Sequence, residues 1–305
     1  MVRKAPIVVI VFNRPHHARQ LRRLLDEQQG RELYLIADGA RDNIPGETRL
    51  VQESVDAFAD WRGGVKSNIA TTNLGCKQRI ASGLDWVFEH CECAIILEDD
   101  LQPAAQFFDY CDELLAAFEN NHEVKSICGS KLFPQRGSSS SVFYSKYGNS
   151  WGWATWRRAW VEYDDTFADR SSFARLRAIA THLNSVKAAL YWHIMIRWVW
   201  EGRRDSWDYC WMVACFLNRG VHVYPASNLI VNSGFGLDST HTAEHEPYMP
   251  LEFGERLSLP LDLSPGVVES DEQIDAWIDD NIYSKSAPVR LRWLSRKIAA
   301  KFKAG

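Results

Sequence analysis

Three consecutive acids, Glu98-Asp99-Asp100, follow directly on an apolar run from Cys93 to Leu97. That run reads as a short buried strand, so the carboxylates stand at its end. Burying one unpaired carboxylate costs several kcal/mol, and adjacent carboxylates resist ionising together. A cluster of this kind is suited to receive a cation or a set of hydrogen-bond donors. Hard ions such as Mg²⁺ and Mn²⁺ take carboxylate oxygen and often complete their shell with substrate phosphates. A solvated acidic turn is the plainer reading. The buried strand before the triplet, and Pro103 with a helix after it, weigh against that.

The surrounding text alternates strand-like and helix-like segments. Ile7 to Phe12 is a β-branched run, ended by Asn13-Arg14-Pro15, with Pro placed at the first turn of a helix reaching about Leu25. Leu33 to Ala37 reads as a second strand ending at Asp38-Gly39, and Val65 to Ala70 as a third ending near Asn73-Gly75. Cys76 to Phe88 has Ile80, Leu84, Val87 and Phe88 on one helical face. A helix over Ala104 to Phe118 and a strand over Val124 to Cys128 follow. Such alternation predicts a mostly parallel, doubly wound α/β sheet flanked by helices. Four polar strand ends, Asn13-Arg14, Asp38-Gly39, Asn73-Gly75 and Glu98-Asp100, then share one edge, where ligands of open α/β sheets bind. No G-x-G-x-x-G and no P-loop is present.

Beyond Lys131 the character changes. Long helices are expected over Ser171 to Ala180, Leu183 to Glu201 and Asp208 to Asn218, making the C-terminal half helix-rich. Most of the thirteen tryptophans fall between Trp151 and Trp211. The stretch Trp151 to Trp156 is open between lining a pocket and packing the second half on the sheet.

Bulk numbers exclude several classes. With 35 basic and 39 acidic residues, net −4, the chain presents no general polyanion-binding surface, so nucleic acid is disfavoured as a partner. The seven cysteines show no zinc spacing and read as buried thiols in a reducing compartment. Met1 to Pro6 lacks a signal-peptide layout, and no apolar run reaches the ~18 residues of a membrane span.

A nucleotide at a strand-end carboxylate cluster points to a nucleoside-diphosphate-sugar site, and here a family likeness enters. Glu98-Asp99-Asp100-Leu101, followed by Phe107-Phe108-Asp109-Tyr110, resembles the strand-end motif of GT-A glycosyltransferases with an Asp-x-Asp-like motif. The likeness is greatest to the eukaryotic β-1,2-N-acetylglucosaminyltransferases of protein glycans, with a similar layout in bacterial family-2-like glycosyltransferases. It is specific around Glu98 to Tyr110 and loose over the rest of Pro6 to His241. The resemblance implies a GT-A-like (Rossmann-type) fold and a metal-dependent, inverting transfer of a sugar, with UDP as the expected nucleotide. It implies Asp100 as ligand of Mn²⁺ or Mg²⁺, Asp99 on the donor sugar or ribose, and Glu98 on the sugar hydroxyls. Arg14 maps onto a base-proximal arginine, whereas Asn13 stands where the family has an acid. Asp38 matches a base-recognising Asp-Gly. Phe12 and Lys77 join the donor-side candidates. In Ser206-Trp207-Asp208-Tyr209-Cys210-Trp211, Trp207 and Asp208 match a Trp followed by the catalytic base. One extra residue before the second Trp makes Asp205 the alternative, and a helix-capping role is the plainer reading of Asp208. Phe235 to His241 resembles a loop that orders over the donor, where His241 would contact the diphosphate or the metal.

Val289 to Lys303 reads as an amphipathic helix with six basic residues, no acid and Trp293 beside its apolar stripe. Such a helix suits an anionic leaflet, and docking on the protein's own body is the alternative. The expected organisation is thus a GT-A-like domain over residues 1–288 and a tail over 289–305. Within the domain, 1–130 would hold the nucleotide-sugar and 131–288 the acceptor and catalytic groups. The expected partners are a nucleotide-sugar, a glycan or glycolipid acceptor and, through the tail, an anionic membrane surface. The expected location is cytoplasmic, with the tail opening the option of peripheral attachment to the inner membrane face. The rivals are a sugar-1-phosphate nucleotidyltransferase, which would want a Gly-rich basic loop after the first strand, and a non-catalytic nucleotide-sugar-binding protein.

Overall fold

A computed structural model describes residues 4–134, 140–234, 250, 252–263 and 268–283. The first half runs β1 (Ile7–Val11), α1 (Pro15–Leu24), β2 (Leu33–Ala37), α2 (Glu47–Asp56), β3 (Val65–Ile69), α3 (Cys76–His90), β4 (Cys93–Glu98), β5 (Leu101–Pro103), α4 (Gln106–Ala117) and β6 (Val124–Cys128). The second half adds β7 (Val142–Ser145), β8 (Trp153–Trp156), α5 (Arg157–Trp160), α6 (Ser172–Leu183), α7 (Val186–Trp200), α8 (Asp208–Leu217), β9 (Val221–Pro225), β10 (Ile230–Asn232) and α9 (Glu272–Ile278).

Eight strands form one sheet in the order β3-β2-β1-β4-β8-β6-β9-β7. All run parallel except β8 and β7, so the fold is α/β with a mostly parallel sheet. Strands β1, β2 and β4 are covered on both faces, which is why they read as unbroken apolar runs. Ile7, Val9, Val11, Leu33, Leu35, Ile95 and Leu97 pack on the side of α1 and α4. Val8, Ile10, Tyr34, Ile36, Ala94 and Ile96 face the side of α3, α5 and α8. Helices α6 to α9 enclose a further core around Trp192 and Phe216, giving the helix-rich second half.

Three features depart from the sequence reading. Trp153-Ala154-Thr155-Trp156 is not a pocket wall but part of the sheet itself, an antiparallel strand between β4 and β6, with Trp153 opposite both Ile96 and Cys128. Its neighbours are buried on both faces, so no polar alternation marked it. The helix break expected near Leu183 falls at Asn184, whose φ of 51° is left-handed. Ser185 then caps α7, its Oγ accepting the Ala188 N–H at 3.1 Å. Finally, β5 and β10 form a separate antiparallel pair that carries the chain away from the acidic triplet. All seven cysteines are free, though Cys76 and Cys93 are only half-buried. Among the described residues no helix is long and apolar enough to cross a membrane. The tail over 289–305 lies outside those residues.

The start of the sheet is pinned to α4 by a buried ion pair. Arg31 Nη2 meets Asp112 Oδ2 at 2.6 Å, with the side chains 1% and 8% exposed. Asp112 also takes the Ala5 N–H at 2.9 Å. Removing one member of such a pair strands the other without a partner. Asp112→Ala is therefore expected to cost ~3–5 kcal/mol in unfolding free energy, read from urea denaturation beside the unchanged chain. A loss under about 1 kcal/mol would contradict this account of the pair.

Candidate active site

The parallel order β3-β2-β1-β4 places the C-terminal ends of these strands along one edge. In register, Val11 lies beside Ala37, Ala37 beside Ile69, and Ile10 beside Glu98. The residues that follow these positions are the polar strand ends singled out in the sequence. Their convergence is therefore a property of the sheet.

The triplet leaves β4 with its three carboxylates in different settings. Asp100 Oδ2 accepts a hydrogen bond from Arg14 Nη1 at 3.0 Å, both side chains 18% exposed. Asp99 is buried and, among the described residues, takes only a long contact from the Phe12 N–H, 3.5 Å to Oδ2. Burial, then the neighbouring Asp100 charge, push Asp99 up to about 7, with Arg14 opposing. Withdrawal from bulk water, followed by Asp100, Asp99 and Asp208, likewise raises Glu98. Beyond the triplet, Ser233 donates its backbone N–H and its hydroxyl to the Asp100 carbonyl at 2.9 and 2.8 Å. A Cβ on Gly234 would lie 2.1 Å from Asp100 Oδ2, so any larger residue there would displace that carboxylate.

Several predicted residues are engaged elsewhere. Asp38 accepts four hydrogen bonds, from the N–H groups of Gly39, Leu74 and Gly75 at 2.9, 2.9 and 3.0 Å and from Asn73 Nδ2 at 3.1 Å. That occupies all its lone-pair sites, so the side chain knits the β2 and β3 loops together. Burial nonetheless raises its pKa, against the pull of those N–H donors. Asn13 donates to Glu47 Oε1 at 2.7 Å. Glu47 is fully buried and also grips Arg41, whose guanidinium holds the carboxyl down to about 2 and lies over the Phe12 ring at 5.6 Å. Sequence reasoning missed both Glu47 and Arg41, which sit in a polar stretch with no periodic signal. Lys77 Nζ is paired with Asp165 Oδ2 at 2.8 Å, and Asp165 too was not anticipated.

Asp205 and Asp208 are separated by their hydrogen bonds. Asp205 clamps the start of α3 from a distant loop, accepting the Cys76 and Lys77 N–H groups at 2.7 and 2.9 Å. Gly75, the N-cap of α3, has no side chain to do this. Asp208 Oδ1 accepts from the Ser206 hydroxyl and from the Tyr209 N–H at 3.0 Å. Its Oδ2 has no partner among the described residues. Trp207 is 3% exposed and stacks on Trp153 at 5.5 Å, beside Trp160 and Trp211. Its ring is core, and it anchors the backbone that presents Asp208. Glu98, Asp208, Asp205 and Asp38 all bear on Cys76, where burial and their charge drive the thiol pKa far upward. His241 lies outside the described residues.

No group of three or more His, Cys, Asp or Glu side chains among the described residues is arranged as a metal cage. Asp99 is buried and Glu98 and Asp100 are half-buried, and carboxylate oxygens of this kind, facing Arg14, are the donor type that Mg²⁺ takes together with phosphates.

No protein-family profile matches the sequence, and no curated protein matches it either. Among solved structures, a mannosyltransferase from Pyrobaculum calidifontis in complex with GDP-Man and Mn²⁺ aligns with 71% of this chain and 70% of its own. The identity is 11% and the TM-score 0.37. That likeness is too distant to carry any argument about this chain.

Asp205→Ala should cost ~0.5–2 kcal/mol, the value of a helix cap, while Asp208→Asn should leave the melting temperature nearly unchanged. Thermal unfolding of the two variants side by side checks this. Equal losses would show that Asp208 is also a structural cap.

Proposed function

We propose that the chain is a metal-dependent glycosyltransferase of GT-A type that moves a sugar from a nucleotide-sugar to a glycan or glycolipid hydroxyl with inversion. What supports the reading is one arrangement. A carboxylate cluster at the end of β4 faces the Arg14 guanidinium, and Asp208 enters from α8 on the same edge with one oxygen that has no partner among the described residues. The first serves a diphosphate and its cation, the second a hydroxyl that must lose a proton. Residues 1–130 then form the donor half and 131–288 the acceptor half.

In the mechanism, Phe12, Arg14, Glu98 and Asp99 line the donor side, with Asn13 and Asp38 setting the loops around it. Lys77 stands at the same edge and would turn from Asp165 toward the diphosphate. Asp100, with Asp99 beside it, would hold Mn²⁺ or Mg²⁺, whose charge offsets the negative charge gathering on the leaving nucleoside diphosphate. Ser206 and the Tyr209 N–H fix Asp208 Oδ1, so Oδ2 points its lone pairs at the acceptor. That oxygen takes the hydroxyl proton as the acceptor oxygen attacks the anomeric carbon. UDP as the nucleotide, His241 as a donor contact and membrane attachment through the basic tail belong to the same proposal.

Asp100→Ala is expected to abolish metal-dependent binding of UDP in titration calorimetry while unfolding as the parent does. Unchanged affinity would remove Asp100 from the metal site. Asp208→Asn should lower transfer by ~10²–10⁴-fold, the usual contribution of a general base, with nucleotide affinity retained. A screen of nucleotide-sugars for Mn²⁺-dependent hydrolysis or transfer supplies the donor for that assay. Near-normal turnover in the Asn variant would reject Asp208 as the base.

A further inference from the structure

The connection from α7 to α8 carries more positive charge than its own acids answer. Arg197 Nη2 and Arg203 Nη1 both reach Glu201, at 3.0 and 3.5 Å, so one carboxylate is divided between two guanidinium groups. Asp205 is turned onto the α3 N–H groups. Arg204 meets no carboxylate among the described residues. Its Nη1 instead donates to the Tyr209 hydroxyl at 2.7 Å, and its guanidinium lies over the Tyr209 ring, 4.9 Å from the centroid. Tyr209 is itself fixed, its ring packed against Trp192 at 5.6 Å. It is also the residue after Asp208 and gives Asp208 its N–H.

An exposed arginine normally loses rotamer freedom when it binds. Arg204 is already laid on an aromatic ring and tied at one nitrogen, which lowers that cost. The tie leaves Nε and Nη2 without a partner among the described residues, and these form the edge that grips a carboxylate or phosphate through two parallel hydrogen bonds.

We propose that Arg204 recognises an oxyanion, carboxylate or phosphate, on the acceptor, and so makes the enzyme selective for acidic acceptors. The inference rests on Asp208 facing the acceptor. Both charges reach the Tyr209 phenol, whose pKa burial and then Asp208 raise and Arg204 lowers, so the ring that holds Arg204 lies within electrostatic reach of the proposed base. An anion seated there would lie close to the hydroxyl presented to Asp208.

Three probes that share one ring test this: methyl glucoside, methyl glucuronide and methyl glucoside 6-phosphate. Their binding to the full chain is first measured without donor by ligand-observed NMR at about 0.15 M salt, and transfer is measured second. The wild type should bind at least one anionic probe about tenfold or more tighter than the neutral one, as expected for a charge-assisted pair. Whichever anionic probe leads identifies carboxylate or phosphate as the feature read. Arg204→Ala should bring the preference close to 1. Arg204→Lys, which keeps the charge but not the two-pronged edge, should restore it in part, and Tyr209→Phe should weaken it. Equal binding of neutral and anionic probes by the wild type, or a preference that survives Arg204→Ala, would overturn the inference. Anion binding that depends on Arg204, in a protein that turns over no nucleotide-sugar, would instead overturn the glycosyltransferase reading and leave the anion site standing.

Discussion

Crowding of negative charge at the end of β4 is the constraint on which the site depends. Three consecutive carboxylates, with a fourth from Asp208, lie within electrostatic reach of one another, and among the described residues Arg14 is the cation paired with them. In a medium of low dielectric such repulsion is resolved in only a few ways: protonation, withdrawal to solvent, or a cation. Burial and the neighbouring charges push two of the four upward, toward the protonated form. The parallel sheet makes this possible, because its helices bring N–H groups and its loops bring Arg14 to the same edge.

Hydrogen bonding sorts the acids into two kinds. Asp38, Glu47, Asp112 and Asp205 are satisfied by several donors each and tie distant segments together. Glu98, Asp99 and one oxygen of Asp208 are not so matched among the described residues. A carboxylate supplied with N–H groups has done its task once the chain is folded. One left short of donors in a half-buried place keeps an interaction free energy that a ligand can claim. The same contrast separates Arg31, locked to Asp112, from Arg204, held among the described residues by a tyrosine alone.

The aromatic core has a positioning consequence. Trp153 on β8, Trp160 on α5, and Trp207 and Trp211 around the start of α8 pack as one cluster, with centroid separations from 5.3 to 6.4 Å. The cluster couples the strand beside β4 to the helix that begins at Asp208. Two carboxyl-bearing elements far apart in sequence are thereby fixed relative to each other without any direct bond between them.

The amino-acid sequence by itself determined the β/α alternation, the strand ends at Asn13, Asp38, Asn73 and Glu98, and the candidacy of Asp208. The alternation and the strand ends rest on local signals, β-branched runs, helical periodicity and turn residues, which act over a few positions, whereas the candidacy of Asp208 is what the family resemblance implies. It did not reveal β8, because a four-residue strand with both faces covered shows neither alternation nor a bounding turn pair. Nor did it distinguish Asp205 from Asp208, or show that Asp38 is fully engaged and Trp207 buried. Those outcomes depend on which N–H groups and rings arrive from segments 34 to 129 positions away. Only tertiary structure decides that, since a carboxylate's role follows from the donors around it and not from the neighbours beside it in the chain.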